Sequence, residues 1–148
     1  MPDEEYGTKM ARFLSRVKSA GIKTSIDMVS DASMRYGQIV IPALKYADYV
    51  IVNEIECATA WNLEPRHPDG TLNDENIILA MKKCVDAGVG ERVIVHAKER
   101  AYIMNNKKEY LSVNSLKIPK EDIKGSVGAG DAFCAGSLYA LYNGYSDK

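Results

Sequence analysis

Two short runs, Tyr49-Val50-Ile51-Val52 and Arg92-Val93-Ile94-Val95, limit most strongly what this chain can fold into. Neither alternates apolar with polar residues. That pattern marks strands covered on both faces, as in a parallel sheet between helix layers. Elsewhere the apolar spacing is helical. Met10, Phe13, Leu14, Val17 and Ala20 define an amphipathic helix across residues 3–20 that stops at Gly21. Residues 22–27 follow as a short strand. A second helix, N-capped by Asp31 or Ser33 and interrupted or kinked at Pro42, runs to about Tyr46. The first buried run leads through Asn53-Glu54-Ile55-Glu56 into a short helix ending at Trp61. Residues 67–71 form a loop, and Ile77, Met81, Cys84, Val85 and Gly88 mark a further helix. The second buried run ends at His96. Segments 101–104 and 109–113 then flank Asn105-Asn106-Lys107-Lys108 as a β-hairpin. A linker through Pro119 reaches a glycine-rich turn and a helix that buries Phe133, Leu138 and Leu141 and stops near Gly144.

Helices alternating with buried strands specify an α/β domain. The expected architecture is a three-layer α/β/α sandwich with a mostly parallel sheet and one hairpin, a single domain over residues 1–148. Ligands of such sheets bind beyond the carboxyl ends of the strands. Asp27, Asn53 and His96 all stand at such ends, so they should share one edge with the glycine-rich turn.

Composition narrows the partners. A formal net charge of −1 gives no reason to expect nucleic acid or an acidic membrane surface. No apolar run approaches the roughly 20 residues that span a bilayer, and the acidic start Met1-Pro2-Asp3-Glu4-Glu5 is unlike a signal peptide. Cys57, Cys84 and Cys134 are odd in number and far apart. They fit small core residues of a soluble, cytoplasmic protein. His67 and His96 share no metal-ligand spacing with each other or with a cysteine, so both read as structural. Trp61 reads as a helix residue packed on the sheet.

The turn itself, Lys124-Gly125-Ser126-Val127-Gly128-Ala129-Gly130-Asp131, holds three glycines and ends in an acid. Its glycine order is neither the Gly-x-Gly-x-x-Gly of dinucleotide folds nor a Walker A loop, since no Gly-Lys-Ser/Thr follows. Unpartnered amides at a helix start bind anions. An acid beside such a site suits a base that takes a proton from an attacking hydroxyl while the amides of Gly128, Ala129 and Gly130 hold the charge that develops. The alternative is a tight turn whose aspartate simply complements the helix dipole.

The segment resembles the Gly-Ala-Gly-Asp signature of the ribokinase-like (PfkB) carbohydrate kinases, in which Asp-Thr-x-Gly-Ala-Gly-Asp leads into a helix beginning Ala-Phe-x-Ala-Gly. Ser126, Gly128, Ala129, Gly130, Asp131, Ala132, Phe133, Ala135 and Gly136 fit; Gly125 stands where the family has Asp. The resemblance implies an ATP-dependent kinase acting on a sugar or nucleoside, with magnesium. Asp131 would be the catalytic base, and Ser126 with Gly128–Gly130 would bind ATP and form the anion hole. It also implies that Asn53 and Glu56, an Asn-x-x-Glu motif after a buried strand, position metal and phosphate. Read as residues alone, the same pair makes a helix capping box. Asp27 is a cleft residue on the resemblance, and a capping or turn residue otherwise. Residues 96–101 lie where the family has Thr-x-Gly-x-x-Gly-Ala; only Ala101 matches, while Lys98 or Arg100 could reach phosphate or belong to a solvated charge run. Gly125 removes the carboxylate that helps hold a monovalent cation in the family, so potassium use does not follow.

The resemblance spans nearly the whole chain but about half of a family member, which runs to roughly 300 residues. The lid, the Gly-Gly sugar-binding part and the last helices have no counterpart here. The expectation is a partial ribokinase-like domain, weakly active or inactive by itself, with an open sheet edge that invites association, for instance as a homodimer. A non-catalytic nucleotide- or sugar-binding relative is the alternative function.

Overall fold

The structure, a computed structural model, describes residues 2–28 and 35–147. It opens on a ribbon of two-residue antiparallel strands, β1 (Pro2–Asp3) and β2 (Gly7–Thr8). Residues 3–8 are therefore not helical as expected. Asp3 closes a tight turn by accepting the amides of Glu5 and Tyr6 at 3.1 and 3.0 Å. Gly7 has φ of +80°, and a Cβ there would lie 3.0 Å from the Pro42 Cβ, so the turn needs glycine twice over. Thr8 then caps α1 (Lys9–Ser19), its hydroxyl accepting the Ala11 amide at 3.1 Å.

After β3 (Ser25–Ile26), the helix α2 (Tyr36–Leu44) carries Pro42 inside it. The N-cap expected at Asp31 or Ser33 lies outside the described residues. β4 (Tyr49–Asn53) runs straight into α3 (Glu54–Thr59). α4 (Asp74–Asp86) begins three residues before the first apolar residue of its stripe because Asn73 caps it, accepting the Asn76 amide at 3.1 Å. β5 (Arg92–His96) precedes the expected hairpin, β6 (Arg100–Asn105) and β7 (Tyr110–Asn114), turned by Lys108 at φ 65°. The chain ends in α5 (Ala129–Tyr142).

One sheet has the order β3-β4-β5-β6-β7. β3, β4 and β5 are parallel, whereas β6 pairs antiparallel with both β5 and β7. The sheet is thus mixed rather than mostly parallel, because the hairpin continues it directly instead of standing apart. Strand alternation sends Val50, Val52, Val93, Val95, Tyr102 and Met104 to one face. There they pack with Leu44, Cys57, Ile77, Met81 and Cys84 of α2, α3 and α4. Trp61 joins this core, its indole N–H donating to the Cys84 sulfur at 3.4 Å. α1 docks beside it through Ala11 and Leu14 against Ala43.

The opposite face carries Ile94 and Ile103, which look across a cavity of about 490 Å³ at Phe133, Ala140 and Leu141 of α5. Helices therefore lie on both sides of the sheet. α5 buries none of its residues completely; Phe133 and Leu141 are half-covered and Leu138 is exposed. Leu138, expected to be buried, is covered only in part, lining a cavity with Leu141, Ser25 and Tyr49 at the sheet edge, while Tyr139 and Tyr142 are left largely exposed because α5 is covered only from the sheet side. No helix among the described residues is long and apolar enough to cross a membrane.

The two-sided burial sets a stability expectation. Leu44 has no exposed surface, so Leu44→Ala should cost about 2–5 kcal/mol through lost transfer energy and a residual cavity. Tyr142, at 91% exposed, should tolerate Ala within about 0.5 kcal/mol. Urea unfolding midpoints of the two variants check the contrast; equal midpoints would refute this assignment of the core.

Candidate functional site

Residues 126–129 form a type II β-turn: the Ala129 amide donates to the Ser126 carbonyl at 3.1 Å, and Gly128 takes φ 81° and ψ 0°. That conformation at the third position of the turn demands glycine. α5 follows at once, with the Ala132 amide donating to the Gly128 carbonyl at 2.9 Å. Of the three amides expected to face an anion, Ala129's is therefore engaged inside the turn. The amides of Gly128, Gly130 and Asp131 have no backbone partner among the described residues, and they lie at the positive end of the helix dipole. A Cβ at Gly125 would meet nothing within 4 Å.

The turn rests on the carboxyl end of β5. The His96 and Phe133 rings are 4.8 Å apart and tilted by 41°, and a Cβ at Gly130 would lie 3.6 Å from His96 Cε1. His96, read from sequence as structural, thus forms the floor beneath the glycine turn. Asn53 pairs with His96 in the β4–β5 register, which brings it to the same edge.

Two groups near the acids have shifted titrations. The Cys134 thiol, one helical turn beyond Asp131, is held above its ordinary range first by burial and then by the carboxylates of Asp27 and Asp131. Asp131 precedes Cys134 by three residues on α5, which puts the two on one face of the helix. The Tyr36 phenol is also pushed up, mainly by burial and then by the charges of Glu56, Cys57 and Asp27; its buried hydroxyl has no hydrogen-bond partner among the described residues. Asp131 is exposed. Cys134 is half-buried at the site rather than in the core with Cys57 and Cys84.

Asn53 and Glu56 make a capping box. The Asn53 side-chain oxygen accepts the Glu56 amide at 2.8 Å, and the Asn53 amide donates to Glu56 Oε2 at 3.1 Å. Glu54, first residue of α3 and 7% exposed, is paired with Arg66 at 2.6 Å. Arg66 also reaches Glu99 in the loop after β5. Nothing periodic in the sequence links these three residues, so reading it left Arg66 and Glu99 unassigned. Arg100 turns away from the glycine turn, bonded to Asp74 at 2.9 Å and Asn114 at 3.0 Å; Tyr102 shares Asp74 with it. Lys98 is exposed. Among the described residues no group of three His, Cys, Asp or Glu is placed to hold a metal by itself.

The chain matches the family described as pfkB family carbohydrate kinase over residues 7–148. It is 32% identical over 83 residues to a 2-dehydro-3-deoxygluconokinase of Dickeya dadantii (strain 3937), covering 51% of this chain and 27% of that protein. It superposes on the ribokinase of Arabidopsis thaliana complexed with ribose and ATP with a TM-score of 0.69 at 22% identity, covering 93% of this chain and 40% of that one. For the Anopheles gambiae adenosine kinase in complex with P1,P4-di(adenosine-5) tetraphosphate the TM-score is 0.73 at 17% identity, covering 93% and 41%. The structural likenesses at such identity establish the fold. The chain spans less than half the length of each of these relatives.

The placement of Cys134 can be tested chemically. Cys57 and Cys84 are sealed in the core, so alkylation of the folded chain should fall on Cys134. Asp131→Asn removes one of the two charges opposing its thiolate. Alkylation at about pH 8 should then quicken roughly two- to threefold, since the thiolate is the nucleophile. An unchanged rate would separate Asp131 from Cys134.

Proposed function

The chain belongs to the pfkB family of carbohydrate kinases, and from that membership we propose that it carries the phosphoryl-transfer site of an ATP-dependent sugar or nucleoside kinase. The observation that carries this reading is the setting of Asp131: exposed, in the first turn of a helix whose leading amides are open. The ribose- and ATP-bound ribokinase among its structural relatives supports ATP as donor. The resemblance to a 2-dehydro-3-deoxygluconokinase supports a sugar or sugar-acid acceptor.

In this mechanism Asp131 takes the proton of the acceptor hydroxyl as its oxygen attacks the γ-phosphorus. The new O–P bond forms while the bond from that phosphorus to the bridging oxygen breaks, and ADP leaves with the electron pair. A carboxylate is a weak base at neutral pH, so aim matters more than basicity. The amides of Gly128, Gly130 and Asp131 face the charge on the transferred group, helped by the Ser126 hydroxyl. Asn53, Glu56 and Asp27 offer hard oxygens suited to holding magnesium through water, which would neutralise phosphate charge. Their capping role and this role are compatible, because the cap fixes the carboxylate at the strand end. Gly125 brings no carboxylate to the turn, so we assign no potassium ion.

A non-catalytic relative is the second reading, favoured by the engaged Ala129 amide and the glycine-free loop after β5. We also place the protein in the cytoplasm, on the strength of its three free cysteines. The fully exposed edge strand β7 supports pairing of two copies; a single-chain mass in sedimentation at micromolar concentration would exclude it.

Asp131→Asn in the complete protein separates the two readings of function. A kinase should lose about 10²–10⁴ in turnover while ATP affinity stays within about threefold. Undiminished turnover in the variant would remove Asp131 as base. A wild-type protein that binds nucleotide and phosphorylates no sugar or nucleoside would favour the second reading.

A further inference from the structure

We propose that Arg66 is a positioning residue for the phosphate site: by gripping Glu99 it holds the loop after β5 against the start of α3, so that two walls of the site keep one register. The inference rests on the kinase reading above.

The grip is built from one guanidinium and three chain segments. On the first, Glu54 Oε1 accepts from Arg66 Nη2 at 2.6 Å and from Nε at 3.1 Å. A carboxylate as buried as Glu54's is costly unless paired. On the second, Glu99 takes Nη1 at 3.0 Å and Nη2 at 3.1 Å, one oxygen each, a two-pronged pairing with defined direction. On the third, the Gly70 carbonyl accepts from Nη1 at 2.9 Å. The guanidinium uses all five of its N–H donors here; lysine, with three donors and no planar fork, could not reproduce them.

What lies next to each anchor gives the grip its meaning. Glu54 sits inside the Asn53–Glu56 capping box at the carboxyl end of β4. Glu99 follows closely on His96, whose ring supports Gly130. The loop between them and β6 contains no glycine and is closed by the Ala97 amide donating to the Arg100 carbonyl at 2.8 Å. Its outer end is fixed by the Ser115 amide on the Glu99 carbonyl at 2.9 Å. Arg66 therefore sets how far this loop stands from α3. Pairing also keeps the Glu99 charge, which the guanidinium holds in its ionised form, from facing an incoming polyanion alone. A wall ordered in advance does not have to be ordered when nucleotide arrives.

Glu99→Ala isolates the effect, because it leaves the buried Glu54–Arg66 pair intact. The experiment is calorimetric titration of the complete protein with ATP and magnesium, beside thermal unfolding of both forms. We expect the melting temperature to move by no more than about 2 °C, since exposed pairs contribute little. ATP affinity should fall about fivefold, with Glu99→Gln recovering most of it. Simple repulsion predicts the reverse sign, because removing an acid near phosphate would tighten binding. Equal or tighter binding by Glu99→Ala overturns the positioning role and leaves the kinase reading standing. Failure of the unaltered protein to bind ATP at all overturns the kinase reading itself.

Discussion

The parallel ladder between β4 and β5, in register from Tyr49 with Arg92 to Asn53 with His96, is the interaction on which the rest depends. Sliding either strand by one residue would turn its own buried pair, Val50 and Val52 or Val93 and Val95, away from the helices they pack against. It would also separate Asn53 from His96. The same pairing that fills the core thus brings two strand ends level, and the glycine turn then rests on one of them through His96 and Phe133. Stability and site geometry come from a single register.

Much of this was legible because it follows from short-range pattern. The two buried strands, the hairpin around residues 105–108 and the helix over Ile77 to Cys84 each have local signals of period or turn chemistry. So does the shared edge of Asn53 and His96, level in the β4–β5 register, whereas β3 ends at Ile26, opposite Val50, and leaves Asp27 short of that edge. Residues 3–8 depart from the helix expected over 3–20 because helical spacing in Met10 to Val17 says nothing of where the helix starts. Thr8 and the Asp3 turn decide that. The sheet's mixed character was missed because a hairpin pattern does not reveal which strand it extends. Arg66, Glu54 and Glu99 were out of reach for a different reason. Their pairing spans separations that no periodicity encodes, and an arginine in a polar loop looks like any solvated charge.

Asn53 and Glu56 show how a structural and a chemical reading can occupy the same atoms. Their reciprocal hydrogen bonds secure the first turn of α3, which is the bland explanation of the motif. Yet the cap also fixes a carboxylate at the end of β4, where Asn53 stands level with His96. Ion pairing through Arg66 stiffens the same turn from its other side. A site whose members are each held by ordinary folding interactions needs little reorganisation when a ligand arrives.

α5 has apolar residues around its whole circumference but a sheet beneath only one side, so Tyr139 and Tyr142, joined by Tyr145 just past the helix end, make a largely exposed aromatic ridge. Environment-sensitive dyes that brighten on apolar surface do not distinguish such a ridge from the exposed interior of a loosened protein. The folded chain should therefore fluoresce strongly with them before any heating. Dye-monitored melting would start from a high baseline and understate its cooperativity, whereas circular dichroism, blind to adsorbed dye, would not.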